Sequence, residues 1–503
     1  MAMKWSLAFL VLGSFSLTMA EPVKTGFADW DISPDIGMER PGGYSKGYHT
    51  QFHDACKARA AVFESGEKST ALVGLDALFI DERHVAEARK RINELTGIPR
   101  DSILIGASHS HSSGPTGMII PGDVDHASKL VQDLAYEQSS SADPIYIARM
   151  IDGIVAAVSR AWETRSELGL VFGSGSEESV TFNRRWKMKS GLTNTHPRPG
   201  NPDMIETAGP IDPEVGVIGA YDESGELKGC VVNFACHATT SPRGISANWP
   251  WAMEKVIRGT FGDEVVVVFL NGNSGDVTQV DNASSIKRIS GDSEALRVGG
   301  SVGAEVVKVL YKIAAEARTN DATVDSKQTV LKIPRRKASP DRLAQCQEMV
   351  KKKPTESTAI QEWVWAKEIV ILDALTEKEP VRSVEVQTIQ IGPAVFISNP
   401  AEYFCEFGLQ QKAGSHFHFT WPVSLANGCI GYVPTTEAMG SEGGGYETRL
   451  TAYSNLIPEA GDQIRDKGIE LANELEPDEV ARGLPSPPFS AGWTYGSNPP
   501  ELE

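Results

Sequence analysis

Apolar runs alternate with amphipathic helical segments along most of the 503-residue chain, and this alternation constrains the fold more than any other feature. The strand-like runs are continuously apolar, as strands buried on both faces are. Predicted strands lie at 70–80, 101–109, 228–237, 263–273 and 383–400, and predicted helices lie at 81–97, 145–165, 293–317 and 339–377. The sequence therefore predicts an α/β layered domain with mixed β-sheets packed between helices.

The two ends of the chain differ in composition from the rest. Residues 1–20 carry one lysine, an apolar run and small residues at Thr18 and Ala20, which is the pattern of a bacterial secretory signal. A membrane anchor is the alternative, but the apolar run is short for a span, and no later segment reaches about 18 apolar residues. We expect an exported protein, periplasmic or secreted, with one large domain at 21–480 and a Pro/Gly-rich tail at 481–503.

Charge and cysteine usage exclude several classes of partner. The formal net charge is −18 and no basic cluster is present, which argues against nucleic acid and anionic lipid as ligands. The six cysteines are scattered without a CxxC spacing, so zinc bound by cysteine is not expected. The sequence leaves disulfide pairing, a second metal and the oligomeric state open.

Polar groups follow several of the predicted strands. In ASHSHSSG (107–114), His109 and His111 should face one direction, because alternate residues of an extended strand share a side. Other strand ends carry His237 in NFACH, Asp276 and Thr278 in GNSGDVT, and Glu402 in NPAEYF. Sites in α/β sheets collect at the carboxyl ends of strands. We therefore expect these groups to form one shared site that can hold a transition metal.

A second HxH pattern, HFH at 416–418, competes with the first. Aromatic residues flank it and no glycine turn follows it, so it is interpreted as a structural strand.

Five blocks carry a resemblance to a known family. GASHSHSSGPTG, NFACHATTSP, LNGNSGDVTQ, NPAEYF and GYVPTTEAMGSEGGGYE occur in the same order as the catalytic blocks of the neutral/alkaline (non-lysosomal) ceramidases. GFADWDISP is similar to that family's N-terminal strand, and FNRRW at 182–186 to its Asn-Arg block. The resemblance spans roughly residues 24–465, nearly all of the mature chain. It implies the family's catalytic domain as the fold and hydrolysis of an N-acyl amide as the reaction.

The resemblance also implies a ligand set. The family holds one zinc ion with two histidines, a glutamate and a tyrosine, which correspond here to His109, His237, Glu402 and Tyr432. Two neutral imidazoles and a carboxylate leave zinc with positive charge and room for a water whose pKa falls to about 7.

Further residues correspond to groups around the reacting carbonyl and the metal-bound water. The resemblance implies that His111, Arg184 and Tyr446 stabilise the carbonyl oxygen as it gains charge. Asp276 and Thr278 fall in the block where the family has a serine beside the water, and Asp276 can orient its neighbours without reacting.

The chain departs from the family at three places. Thr278 stands where the family has serine, and Gln279 and Val280 replace its Pro-Asn. We expect no C-terminal β-sandwich domain of the kind that characterised ceramidases carry. The segment at 187–210 is polar and rich in proline and glycine, and loops of this kind shape pockets.

These patterns together predict an exported zinc-dependent hydrolase that acts on linear amide bonds. N-acylsphingosine or a related small N-acyl compound is the expected substrate. One alternative keeps the metal site for a polar N-acyl or glycan-derived substrate. Another is a secreted binding protein that has lost turnover.

Overall fold

The computed structural model describes residues 22–286, 289–314, 318–481 and 499–502. The export signal predicted at 1–20 lies outside the described residues, and so does most of the tail predicted at 481–503. Within the described part of the chain, none of the helices has the length and apolar character needed to cross a membrane.

The first sheet has five strands and is covered on one face by helices. Its elements are β1 (Lys24–Asp31), β2 (Lys57–Ser65), β3 (Lys68–Leu75), α1 (Glu82–Thr96), β4 (Ile103–Ala107), α2 (Lys129–Gln132), α3 (Pro144–Glu163) and β5 (Ser166–Glu167), with a 3₁₀ turn at Arg100–Ser102 and a π turn at Asp133–Glu137. The strand order is β4-β3-β2-β1-β5, and only β3 and β4 run parallel. Helix α3 buries Ile154 and Val158 against this sheet, as its apolar stripe predicts.

The second sheet has four strands in the order β13-β12-β11-β6. Its region contains β6 (Gly169–Ser176), β7 (Phe182–Asn183), β8 (Arg185–Met188), β9 (Thr193–Thr195), β10 (Met204–Thr207), β11 (Glu214–Tyr221), β12 (Leu227–Phe234), α4 (Trp249–Phe261), β13 (Val266–Asn271), β14 (Val277–Thr278) and α5 (Asp292–Ala314). Strands β12 and β13 are parallel and the other pairs antiparallel. Helices α4 and α5 cover one face, with Met253 and Val302 in the shared core.

The third sheet has four strands in the order β15-β16-β17-β19. Its region contains β15 (Val324–Pro334), α6 (Pro340–Met349), α7 (Ser357–Lys378), β16 (Val381–Ile391), β17 (Ala394–Ser398), β18 (Glu402–Tyr403), α8 (Cys405–Gly414), β19 (Phe419–Val423), β20 (Tyr432–Val433) and α9 (Ala460–Asn473). Again one pair, β17 and β19, is parallel. The polar segment predicted as one helix at 339–377 is two helices, because Pro354 in the connection cannot continue a helix.

The three sheets enclose a central core between them. Phe63 and Leu104 of the first sheet, Ile218 and Leu270 of the second and Phe396 of the third belong to one buried cluster. Helices cover the outer faces of the first and second sheets. The predicted α/β architecture with mixed sheets between helices is confirmed.

A buried ion network joins the first sheet to helix α4. Arg59 of β2 donates to Asp76 and to Glu254, both at 2.5 Å. Burial raises the pKa of Asp76 to about 6, although Arg59 opposes the rise. Burial would also raise the pKa of Glu254, but Arg59 and Lys57 outweigh it and hold that pKa at about 2. The arginine therefore serves as the shared counter-charge that fixes α4 against the sheet.

Two local predictions are wrong. The HFH segment at 416–418 is a bend that precedes β19, not a strand. His416 bonds the Leu475 carbonyl through Nε2 and His418 packs edge-on against Phe419, so this pattern has the structural role expected of it. The strand predicted at 101–109 ends at Ala107, before the first histidine.

Candidate metal centre

His109, the first histidine of the HSH pattern, lies just beyond β4 in a strained backbone conformation. His109 has φ of 62°, in the left-handed region that non-glycine residues seldom adopt. The alternation of side chains along an extended strand therefore does not explain why His109 and His111 lie close together. Ser108 N–H donates to Leu75 O at 2.8 Å and Ser110 N–H to Ala77 O at 3.0 Å, and these bonds hold the turn. Strain of this kind persists only where the surroundings impose it.

Backbone carbonyls fix the orientation of both candidate histidine ligands. His109 Nδ1 lies 2.9 Å from Leu78 O, and His237 Nδ1 lies 2.7 Å from Ser274 O and 2.9 Å from Val277 O. A carbonyl oxygen only accepts, so each Nδ1 carries a proton and each ring turns Nε2 the other way. Histidine ligands of metals are commonly oriented in this way.

The carboxylate of Glu402 lies close to the rings of both His109 and His237. Glu402 belongs to β18, which pairs in parallel with β20 and places Glu402 opposite Tyr432. Glu402 Oε2 lies 3.2 Å from His109 Nε2 and 3.1 Å from His237 Nε2. All three residues are buried, and their candidate ligand atoms lie within 4.8 Å of one another. The ends of β4, β12 and β17 supply this cluster from all three sheets.

The donor set fits a divalent cation. Burial, followed by the charge of Arg184, lowers the pKa of His237 to about 4, so this imidazole is neutral near neutral pH. A neutral ring with its proton on Nδ1 offers Glu402 a lone pair and no hydrogen. His237 Nε2 and the Glu402 carboxylate are thus two acceptors that face each other in a buried space, an arrangement that is costly without a cation to share. Two imidazole nitrogens and one carboxylate are ligands that suit zinc.

Tyr432 and Arg184 lie next to this cluster. Arg184 Nη2 donates to Tyr432 Oη at 3.1 Å and to Gly275 O at 2.8 Å, while Nη1 lies 3.2 Å from His237 Nε2. Burial, followed by the charge of Glu402, raises the pKa of Tyr432 well above its usual value. The guanidinium therefore holds the phenol beside the carboxylate.

His111 and Tyr446 complete the group that the structure brings together. His111 Nε2 is 3.2 Å from His109 Nε2, and burial lowers the pKa of His111 well below its usual value. The Tyr446 ring packs edge-on against Tyr432 with 5.5 Å between centroids. Burial raises the pKa of Tyr446 to about 12, so its hydroxyl keeps its proton and can donate.

The side-chain hydrogen bonds of Asp276 and Thr278 go to residues outside the three-residue cluster. The Asp276 carboxylate accepts from Asn183 Nδ2 and from Cys405 N–H, both at 2.8 Å. The Thr278 hydroxyl donates to Gln279 Oε1 at 2.9 Å. Asp276 therefore ties β7 to the start of α8, and Thr278 faces the residue that follows it.

The sequence analysis did not identify Glu447, whose carboxylate binds both Arg184 and Arg185. Its carboxylate is fully buried and accepts from Arg184 Nε at 2.8 Å, Arg185 Nη1 at 3.0 Å and Thr195 Oγ1 at 2.7 Å. Thr195 also accepts from Tyr446 N–H at 3.0 Å and lies in the polar 187–210 segment. Two adjacent arginines in FNRRW were a signal, since such a pair needs a carboxylate partner when it is buried.

All six cysteines are free thiols, and five of them are buried. None belongs to the His-His-Glu cluster, so the cluster relies on nitrogen and oxygen ligands.

Part of the chain is similar in sequence to a known protein. A comparison with protein-family models finds no match. A stretch of 225 residues, 44% of this chain, is 25% identical to the neutral ceramidase of Pseudomonas aeruginosa and covers 30% of that protein's length.

Two solved structures resemble the chain over most of its length. The crystal structure of neutral ceramidase from Pseudomonas aeruginosa has a TM-score of 0.67 and 18% identity, covering 92% of this chain and 76% of that one. A ceramidase complexed with C2 gives a TM-score of 0.68 and 18% identity, covering 93% of this chain and 77% of that one. The chain therefore has a neutral-ceramidase-like fold, and the expectation drawn from the sequence blocks is confirmed.

Proposed function

We propose that the protein is an exported, zinc-dependent hydrolase that cleaves the amide bond of an N-acyl compound. The observation that carries the proposal is the cluster of His109, His237 and Glu402, in which three buried candidate ligand atoms lie within 4.8 Å of one another. The partial sequence match to a neutral ceramidase supports the reaction class. Export rests on the signal pattern of residues 1–20.

The residues that would hold zinc are His109 and His237 through Nε2, Glu402 through a carboxylate oxygen, and Tyr432 as a fourth, weaker ligand. A zinc ion held by such ligands acts as a Lewis acid and lowers the pKa of a water molecule to about 7. The hydrogen bonds from Nδ1 of each histidine to backbone carbonyls orient the rings for this role.

Residues of the chain would stabilise the negative charge that develops on the oxygen of the substrate carbonyl. His111 and Tyr446 carry protons that they can donate to the carbonyl oxygen, and each such donor contributes about 10²–10³ in rate. Arg184 keeps its charge, because Tyr432, Glu447 and Glu402 outweigh the effect of its burial and raise its pKa. Asp276 and Thr278 would act through the loops that they fix, since their side chains bond Asn183, Cys405 and Gln279.

Two substrate classes are candidates for this site. A ceramide or a related N-acyl lipid is the first candidate, by analogy with the matched ceramidase. A polar N-acyl compound is the second, because Tyr446, which packs against Tyr432, also packs with Tyr44 and Trp365, and Arg449 lies 4.7 Å from the centroid of the Trp365 ring. Aromatic edges and a guanidinium suit polar or ring-shaped groups better than an aliphatic groove does.

Metal content and turnover test the proposal together. Purified protein should contain about one zinc per chain and hydrolyse a fluorogenic N-acyl amide, and His109→Ala should lose both the metal and the activity. Long-chain ceramide is then compared with a short polar N-acetyl substrate to decide the class. Metal-loaded, folded protein that hydrolyses neither substrate would support the binding-protein alternative instead.

A glycine that touches His111 gives a local test of the site. Gly42 has φ of 99°, and a Cβ there would lie 2.2 Å from His111 Nδ1. Gly42→Ala should therefore displace the imidazole and lower kcat by at least about tenfold, as loss of an oxyanion donor does. Gly43→Ala is the matched control, because its Cβ would have its nearest neighbour at 3.6 Å. Equal kcat in the two variants would contradict a role for His111.

A further inference from the structure

The serine between the two histidines of the HSH pattern is bonded through its side chain and its backbone. Ser110 has no exposed surface, and its hydroxyl donates to Ser246 O at 2.8 Å and accepts from Ser112 N–H at 3.2 Å. The Ser110 carbonyl accepts from the Ser113 hydroxyl at 2.8 Å. These bonds fix the turn from which the two imidazoles project.

The segment 245–247 bonds this turn on both sides of His111. The Ser246 carbonyl accepts from the Ser110 hydroxyl, and the Ser246 N–H donates to Ser112 O at 2.9 Å. Because a single residue of the segment holds the residues before and after His111, the place of that residue sets the direction of the His111 side chain.

A buried carboxylate anchors the segment. One oxygen of Asp54 accepts from Ala247 N–H at 2.8 Å. The other oxygen accepts from the Ser246 hydroxyl and lies 2.6 Å from His53 Nδ1. The backbone N–H groups of His53 and Asp54 both donate to Ile245 O, at 3.0 Å and 3.1 Å. A buried carboxylate is costly unless it is bonded, and here its bonds tie the segment to a second stretch of chain.

We propose that Ser110 is a positioning residue of the hydrolytic site, which aims His111 at the substrate carbonyl through its bond to Ser246, and that Asp54 supports this bond. The inference rests on the proposed function for its chemical meaning. A hydroxyl that donates and accepts at once has one orientation, so the turn that it closes is held in one form. The aim of a donor matters, since a misplacement of about 1 Å can cost about 10²-fold in rate.

The candidate metal ligand next to Ser110 does not depend on this hydroxyl. His109 Nδ1 lies 2.9 Å from Leu78 O, and the Ser110 N–H donates to Ala77 O at 3.0 Å. Neither bond uses the Ser110 side chain. Loss of the hydroxyl should therefore disturb His111 and leave zinc binding as it was, which a general loss of structure would not do.

Ser110→Ala tests this role against a matched serine. It should lower kcat about fivefold to tenfold, the worth of one hydrogen bond, with zinc content and KM unchanged. Ser108→Ala is the control, because Ser108 is also buried but its hydroxyl has no hydrogen-bond partner within the described part of the chain. In a His111→Ala background, Ser110→Ala should have no further effect on kcat. Equal kcat in the two serine variants, or an equal loss in the His111→Ala background, would overturn the proposal.

A measurement without substrate separates this inference from the proposed function. With ¹⁵N-labelled histidine, Ser110→Ala should shift the His111 ring resonances of the purified protein at neutral pH, and Ser108→Ala should not. Unmoved resonances overturn the role of Ser110, whereas shifted resonances in a protein without amidase activity support the contact and count against the hydrolase. Asp54→Asn should lower kcat in the same direction as Ser110→Ala, with circular dichroism as the check that it folds. A wild-type kcat in folded Asp54→Asn would overturn the part assigned to Asp54.

Discussion

Glu402→Gln is expected to abolish both zinc binding and turnover. The substitution keeps the volume of the side chain but removes the negative charge that two neutral imidazoles cannot supply. Losing an outer hydrogen-bond partner of a metal site already costs about 10–100-fold in affinity, so losing a ligand should cost more. We expect no retained zinc after dialysis and a fall in kcat of at least about 10³. Metal analysis and turnover of an N-acyl amide measure the two effects.

The same substitution should stabilise the metal-free protein. In the wild type, Glu402 Oε2 lies 3.1 Å from His237 Nε2, which turns a lone pair toward it because this neutral ring carries its proton on Nδ1. A glutamine amide can instead donate to His237 Nε2 and relieve the contact between the two acceptors. After chelation, Glu402→Gln should therefore melt at a higher temperature than the wild type, as expected where a site sacrifices stability for function.

Glu406→Gln is the matched control for this experiment. Glu406 lies four residues after Glu402, in α8. Its carboxylate accepts a hydrogen bond from Gln410 at 3.0 Å and not from a residue of the cluster. Zinc content, turnover and chelated melting temperature should all equal those of the wild type. If Glu402→Gln retained a full equivalent of zinc, the metal site would have to be sought elsewhere.

The sequence predicted the grouping of the site better than its detailed geometry. Continuous apolar runs ending in His109, His237 and Glu402 indicated that distant segments meet at the carboxyl ends of strands, and the structure places these three side chains together. The local reason given for the first histidine was wrong, because β4 ends at Ala107 and His109 adopts a left-handed conformation. Periodicity describes regular elements, and this residue lies just outside one.

The supporting residues could not be inferred from local patterns. Glu447 is 263 positions away from Arg184 along the chain, and Asp54 is 192 positions away from Ser246. Neither Glu447 nor Asp54 lies in a run whose periodicity marks it as buried, since charged residues are ordinarily expected at the surface. Their roles depend on tertiary packing that brings the 245–247 segment and the 443–447 turn against the site. Such pairings require the fold to be known before they can be recognised.

Glu447→Gln is the second substitution with a large expected effect, and it should destabilise the fold as well as slow the reaction. Glu447 is the shared carboxylate of Arg184 and Arg185, and all three side chains are buried. Removing one member of a buried ion pair leaves an uncompensated charge and costs about 3–5 kcal/mol. Urea unfolding measures that loss, and kcat should fall by about 10–100-fold, as for other groups that orient active-site residues.

A second substitution separates the two effects of losing Glu447. Arg185→Met in the Glu447→Gln background removes the surplus buried charge, so much of the lost stability should return. Turnover should stay low, because Arg184 still lacks the carboxylate that fixes its Nε at 2.8 Å and so aims Nη2 at Tyr432. Thr195→Val removes one neutral donor to Glu447 and the acceptor of Tyr446 N–H, and should cost about 1–2 kcal/mol. Recovery of turnover together with stability would mean that Glu447 supports the fold alone and does not orient Arg184 for the reaction.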